Sequence, residues 1–137
     1  MATIKVKGEK VDQEEFDKKT AKEVLSFAAE KFGKKVALAS SFGAEDVVLI
    51  DMISKAAPDI VIFTLDTGRL HEETYKIMEK IREKYGIEIK SYFPKKEDVE
   101  KLEREKGFYS FYKSIENRKE CCGIRKVEPL RRALSEL

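Results

Sequence analysis

The sequence predicts an α/β domain in which a parallel sheet is sandwiched between helices in three layers. Three observations predict it. KVALA (35–39) and IVIFTL (60–65) are short, nearly unbroken apolar runs, the mark of strands covered on both faces. Each is followed by apolar residues at helical spacing, and a glycine or proline closes each unit. Strands alternating with helices of a dozen or so residues imply right-handed crossovers and parallel pairing.

Taken in order, Val11 to Gly33 reads as one amphipathic helix, with Asp12 and Glu15 as its capping pair and Phe16, Val24, Leu25, Ala28 and Phe32 on its apolar side. After the first strand, Ser40 to Gly43 forms a loop, and Val47, Val48, Met52 and Ile53 restore helical spacing until Pro58. The second strand leads through Asp66 to Arg69 into a helix with Leu70, Thr74, Ile77, Met78, Ile81 and Tyr85 on one face, ended by Gly86. Ile87 to Tyr92 is a third strand, and Lys95 to Lys106 a polar helix with Val99 and Leu102 inward. GFYSFYKS gathers four aromatics, as a core or a lid would. The tail spaces Val127, Leu130 and Leu134 helically, and Pro129 requires a kink or a new helix with proline in its first turn.

A chain of 137 residues, 42% hydrophobic and 39% charged, is expected to form a single domain over residues 1–137. The formal net charge of +2 sets up no field that would gather a polyanion, so nucleic acid is not an expected partner and any anion site is local. No apolar run approaches the ~20 residues that span a bilayer, and MATIKVKGEK lacks a signal-peptide core, so no membrane partner and a cytoplasmic location are expected. The only cysteines, Cys121 and Cys122, are adjacent, a spacing that disfavours an unstrained disulfide.

Ligands of open α/β sheets bind beyond the carboxyl ends of the strands, which directs attention to the first two loops. Ser40, Ser41, Phe42 and Gly43 join a strand to a helix start that offers N–H groups to an anion, with two hydroxyls as further donors. A serine-rich capping turn would look the same. Neither GxxxxGK[ST] nor GxGxxG occurs, which removes the main support for ordinary triphosphatase and dinucleotide readings. Glu45 and Asp46 are expected to face away from the loop, since they would repel a phosphate. In the second loop, Asp66, Thr67, Gly68 and Arg69 offer a carboxylate, a hydroxyl, a flexible glycine and an anion-pairing guanidinium, or simply a structural turn. His71 reads as a capping or surface residue. Around the thiols, Arg118, Lys119, Arg125 and Lys126 create a setting that favours thiolate, for reactivity or for metal ligation.

SSFGAEDVVLIDM, IFTLDTGRLHEETY, the YFP turn and KECCGIRKVEPLRRAL follow one another over about residues 36 to 134. In that order they resemble the assimilatory adenylylsulfate and phosphoadenylylsulfate reductases. The resemblance implies an adenine nucleotide alpha hydrolase-like, Rossmann-like fold. It implies that the SSFG loop takes the phosphosulfate end of adenylylsulfate, that Leu65 and the loop Asp66 to Arg69 line the adenosine pocket, and that Lys126 balances sulfate charge. It further implies that Cys121 and Cys122 are two of the four ligands of a 4Fe-4S cluster, as in the adenylylsulfate-type members.

In the family's chemistry a thiolate attacks the sulfate sulfur, AMP leaves, and thioredoxin resolves the enzyme thiosulfonate to release sulfite. The family pattern continues into a CxxC pair and a nucleophilic cysteine, so this chain is expected to bind nucleotide but not to turn over alone. A homodimer pooling two thiols from each copy is a further expectation. The alternatives are a non-catalytic or engineered nucleotide-binding scaffold on the same core, an enzyme for the 3′-phosphorylated substrate, or an ATP pyrophosphatase relative. The last carries an SGGxDS loop, where SSFGAE stands here.

Overall fold

In the computed structural model the described residues are 3–6 and 9–137, with side-chain surroundings from residue 13 onward. An antiparallel hairpin opens the chain, β1 (Thr3–Val6) against β2 (Glu9–Asp12), with Ile4 opposite Val11. The expected single helix over 11–33 is therefore wrong at its start. Val11 and Asp12 finish β2, where pairing with Ile4 and Thr3 of β1 takes them into the hairpin. A short α1 (Gln13–Asp17) follows, and then α2 (Ala21–Phe32). The capping box belongs to α2: Thr20 Oγ1 accepts the Glu23 N–H at 3.2 Å, and Glu23 Oε2 accepts the Thr20 N–H at 3.4 Å. Thr20 and Glu23 have the same three-residue spacing as the expected Asp12 and Glu15 pair, one helix later.

The βα units follow the predicted order: β3 (Ala37–Ala39), α3 (Ala44–Ala56), β4 (Val61–Leu65), α4 (Glu72–Tyr85) and β5 (Ile89–Tyr92). All three strands are parallel, in the order β3-β4-β5. Gly86 ends α4 at φ 60, the left-handed region in which glycine carries no steric penalty.

Leu38, Ile62 and Ile89 share a register row and belong to one cluster with Ile50 and Ile53 of α3 and Ile81 of α4, so both helices cover the same face. Leu25 and Ala29 bring α2 onto it. Burying a side chain such as Ile50 contributes about 1.5–3 kcal/mol. On the opposite face Phe63 meets Tyr92 edge-to-face at 5.8 Å. There α7 (Glu128–Glu136) packs against β5, and the Tyr92 hydroxyl donates to Glu136 Oε2 at 2.5 Å.

In chain order, β5 is followed by α5 (Lys96–Lys106), α6 (Ile115–Cys122) and a π-helical turn, Gly123–Val127, which joins α6 to α7. In that turn the Glu128 N–H donates to Gly123 O, five residues back. Pro129 explains the widening: it has no N–H for the carbonyl four residues before it and its ring would press on that carbonyl, so an extra residue in the turn lets the helix pass. The aromatic segment is not core, since Phe108, Tyr109 and Tyr112 are 63%, 62% and 78% exposed. No described helix is long and apolar enough to cross a membrane.

Candidate functional site

The loop after β3 is held from within. Ser40 N–H donates to Phe63 O at 2.9 Å, extending the strand, while its buried Oγ accepts the Phe42 N–H at 3.1 Å. That bond folds Phe42 into the left-handed region at φ 61, where it is the only non-glycine residue among those described. Its ring is buried in the cluster with Ile50 and Ile53. Phe42 thus anchors the loop to the core instead of lining a site. Gly43, at an ordinary φ of −70, is the N-cap residue of α3, and a Cβ there would stand 3.1 Å from the Glu45 carboxylate.

Asp46 does not face away as expected. Its Oδ2 accepts both the Ser41 N–H at 2.9 Å and the Ser41 hydroxyl at 3.1 Å, because the loop otherwise leaves those donors without a backbone partner. The loop therefore carries its own carboxylate where an anion was expected.

The loop after β4 is organised by Asp66, a buried carboxylate whose Oδ1 accepts the Gly68 N–H and the Tyr75 hydroxyl, each at 2.9 Å. Gly68 sits at φ 78, which the turn requires and a side chain resists. Burial and the bond to Asp66 push the Tyr75 phenol above its ordinary value. Arg69 turns away from the strand ends: its guanidinium donates to the Phe108 carbonyl and lies 5.2 Å from the ring centres of both Tyr109 and Phe111. His71 is the exposed N-cap residue of α4 and makes no side-chain capping bond.

Arg125 ties the third segment to the second. Its side chain is buried, with Nη1 donating to Thr67 O at 2.6 Å and Nη2 standing 3.6 Å from Glu103 Oε1 on α5. Its Nε is buried with no hydrogen-bond partner. Sequence reasoning counted Arg125 only as one cation near the thiols; its spacing from Lys126 carries no signal of which one turns inward.

A cleft of about 460 Å³ opens at the carboxyl ends of β3 and β4, and Ser40, Ser41, Thr64, Leu65, Thr67 and Lys126 line it together with Glu45 and Asp46, so Glu45 too stands at the cleft and does not face away as expected. Lys126 is exposed, and among the described residues it has no ion-pair partner. Beside it a smaller cleft of about 220 Å³ is lined by Cys121, Cys122, Phe111, Arg118, Thr67 and Lys126. Thr67 and Lys126 border both.

The structure thus brings Ser40, Ser41, Leu65, Thr67 and Lys126 together and sets the half-buried thiols next to them. Phe42, Gly43 and Asp66 shape the loops from behind, and Gly68 and Arg69 line a separate groove beside Phe93. Another cleft, of about 360 Å³, lies at the amino ends of the strands, beside Pro58 and Gly86 and remote from these loops.

Residues 35–137 match the phosphoadenosine phosphosulfate reductase domain. The chain belongs to that family. It is 47% identical over 117 residues to an adenosine 5′-phosphosulfate reductase of Pseudomonas aeruginosa, covering 85% of this chain and 43% of that one. It is likewise 47% identical over 115 residues to the chloroplastic 5′-adenylylsulfate reductase 3 of Arabidopsis thaliana, covering 84% of this chain and 24% of the relative. The chain therefore spans less than half the length of these relatives. Among solved structures, the phosphoadenylyl-sulfate reductase of Candida auris in a phosphate complex superposes with a TM-score of 0.74 at 28% identity, covering 92% of this chain and 64% of that one. The family's α/β fold, adenine nucleotide alpha hydrolase-like, is the one observed.

Whether the thiols suit a family iron–sulfur cluster is a matter of donor count. A 4Fe-4S centre takes four thiolates, and no group of three or more His, Cys, Asp or Glu suited to a metal occurs among the described residues. Cys121 and Cys122 can supply half of such a site, so on their own they do not hold the cluster.

Proposed function

We propose that this domain binds adenylylsulfate in the cleft at the carboxyl ends of β3 and β4, as the nucleotide-holding part of a sulfonucleotide reductase. The observation that carries the reading is the convergence of Ser40, Ser41, Leu65 and Thr67 with an unpaired Lys126 on one cleft, beside the paired thiols. Leu65 and the strand end receive the adenosine, the phosphosulfate end takes the place of the Asp46 carboxylate on the Ser41 N–H and hydroxyl, and Lys126 balances the sulfate charge. The names of the curated relatives support the sulfated nucleotide as ligand.

Cys121 and Cys122 are half of a cluster site, completed by two thiolates that these 137 residues do not contain or by those of a second copy. Both cysteines of the chain are used in that role, and a thiolate bound to iron is a poor nucleophile. Reduction to sulfite with thioredoxin therefore requires a further thiol, and the 137-residue chain with thioredoxin releases no sulfite.

Calorimetry with adenylylsulfate, its 3′-phosphorylated form, AMP and ATP tests the binding. Adenylylsulfate is expected to bind tightest. Preference for the 3′-phosphorylated form would assign the other substrate class, and indifference to all four would leave a scaffold without the ligand site. Absorbance near 400 nm after anaerobic purification tests the cluster, and a colourless, iron-free protein would remove it.

A further inference from the structure

Arg125 is the one residue that bonds to the nucleotide loop while lying on the turn that carries Lys126. Its guanidinium is buried at 7% exposure and engages two elements far away in sequence, the Thr67 carbonyl at 2.6 Å and the Glu103 carboxylate at 3.6 Å. Removing a guanidinium from water costs several kcal/mol unless its donors are met. Here Nε is not met, so the burial is not explained by hydrogen bonding alone. Arg125 also belongs to the π-helical turn, a feature that interrupts the regular ladder and concentrates at functional sites. Through Asp66, the loop it holds is fastened in turn to Tyr75 on α4.

We propose that Arg125 is a positioning residue which makes the loop after β4 and the thiol-bearing turn respond as one body when the nucleotide cleft is filled. The proposal rests on the reading of that cleft as a nucleotide site. Physically, the Thr67 carbonyl cannot shift without dragging the Arg125 fork. The fork, held at its other side by Glu103, cannot follow without turning the backbone at Cys122 and Lys126. Because Thr67 borders both clefts, filling the larger one tightens the wall of the smaller. Lysine in place of Arg125 keeps the charge but loses the planar fork that spans Thr67 and Glu103 together.

Backbone hydrogen exchange at residues 66–69 and 121–124, read with and without saturating AMP, tests the coupling. AMP is the probe because it has no sulfate for Lys126 to grip, and Arg125→Lys, which keeps Lys126, separates protection that travels through the loop from protection that travels through Lys126. In the unaltered chain AMP is expected to slow exchange about fivefold or more in both segments. In Arg125→Lys the loop stays protected while the thiol turn loses its protection. Glu103→Gln, a milder change at a partly exposed side chain, gives an intermediate loss and carries the test if Arg125→Lys does not fold. Wild-type protection of both segments in the variants overturns the proposal. Protection confined to 66–69 in the unaltered chain also overturns it while leaving the nucleotide reading intact, whereas no protection at 66–69 sinks the nucleotide reading itself.

Discussion

The Tyr75 hydroxyl and the Asp66 carboxylate meet at 2.9 Å, and the same carboxylate oxygen also holds the Gly68 N–H. A phenol on α4 thereby fixes the turn that follows β4. Tyr75→Phe is expected to lower stability by about 1 kcal/mol, the net worth of one intramolecular hydrogen bond, and to weaken AMP binding by loosening the turn. Urea unfolding and calorimetry check the two effects, and unchanged values in both would show that the turn holds without this bond.

Alkaline pH should act on the same bond. Burial and then the Asp66 bond raise the Tyr75 phenol above 10.0, and the bond to Glu136 and then burial do the same for Tyr92. Both folded-state values lie above the unfolded one, so the folded chain holds these protons more tightly. The stabilisation is complete below pH 10.0 and is lost as pH rises through the folded values. Phenolate absorbance near 295 nm, followed with and without denaturant, should show two tyrosines titrating later when folded.

Lys126→Ala removes the only cation among the described residues that lines the larger cleft. A charge-assisted contact of about 1.5–3 kcal/mol corresponds to at least tenfold in affinity for adenylylsulfate, with a smaller loss for AMP. Equal losses for both nucleotides would take the sulfate away from Lys126.

Arg69→Ala tests the opposite expectation. The guanidinium is committed to the Phe108 carbonyl and to two aromatic rings, so its loss should cost about 1 kcal/mol of stability while changing AMP affinity less than about twofold. A large drop in affinity would mean that Arg69 leaves its stack to reach the nucleotide.

Phe42 is both core and strained backbone. Truncation to Ala or Gly removes the same ring from the cluster, about 3–5 kcal/mol. At φ 61, however, Ala keeps the left-handed penalty that Gly escapes, so Phe42→Gly should be the more stable of the two by about 0.5–1 kcal/mol. Thermal unfolding of the pair decides it, and the reverse order would deny that the loop is strained.

Much of this architecture can be read from local pattern. The first two strands of the parallel sheet are apolar runs too short and too uniform for helices, and the glycines at 33 and 86 close helices where expected. What escaped reading is set by tertiary competition. Val11 and Asp12 fit a helix start, but the short hairpin takes them, and Thr20 with Glu23 offers an equivalent cap eight residues beyond Asp12 and Glu15. At the site, the grouping of Ser40, Leu65 and Thr67 follows from the alternation of strands and helices, which places their loops side by side, whereas Lys126 is pointed to by the family resemblance alone. The roles of Arg125, Asp46 and Arg69 do not. A charged residue on a helix or loop looks the same in sequence whether it is solvated, folds back onto a neighbouring N–H or is buried against a distant carbonyl.

The widened turn at Gly123–Val127 has a bearing on how the helical tail tolerates change in length. One surplus residue rotates everything beyond it by about 100° and advances it by about 1.5 Å relative to a regular helix. Pro129 and Ala133 meet the protein interior only with that phase. Shortening the turn by one residue would straighten the axis yet swing α7's inward residues to solvent and carry the lone ammonium off the strand ends, so the irregularity acts as a spacer that indexes the two halves of this helix to different neighbours.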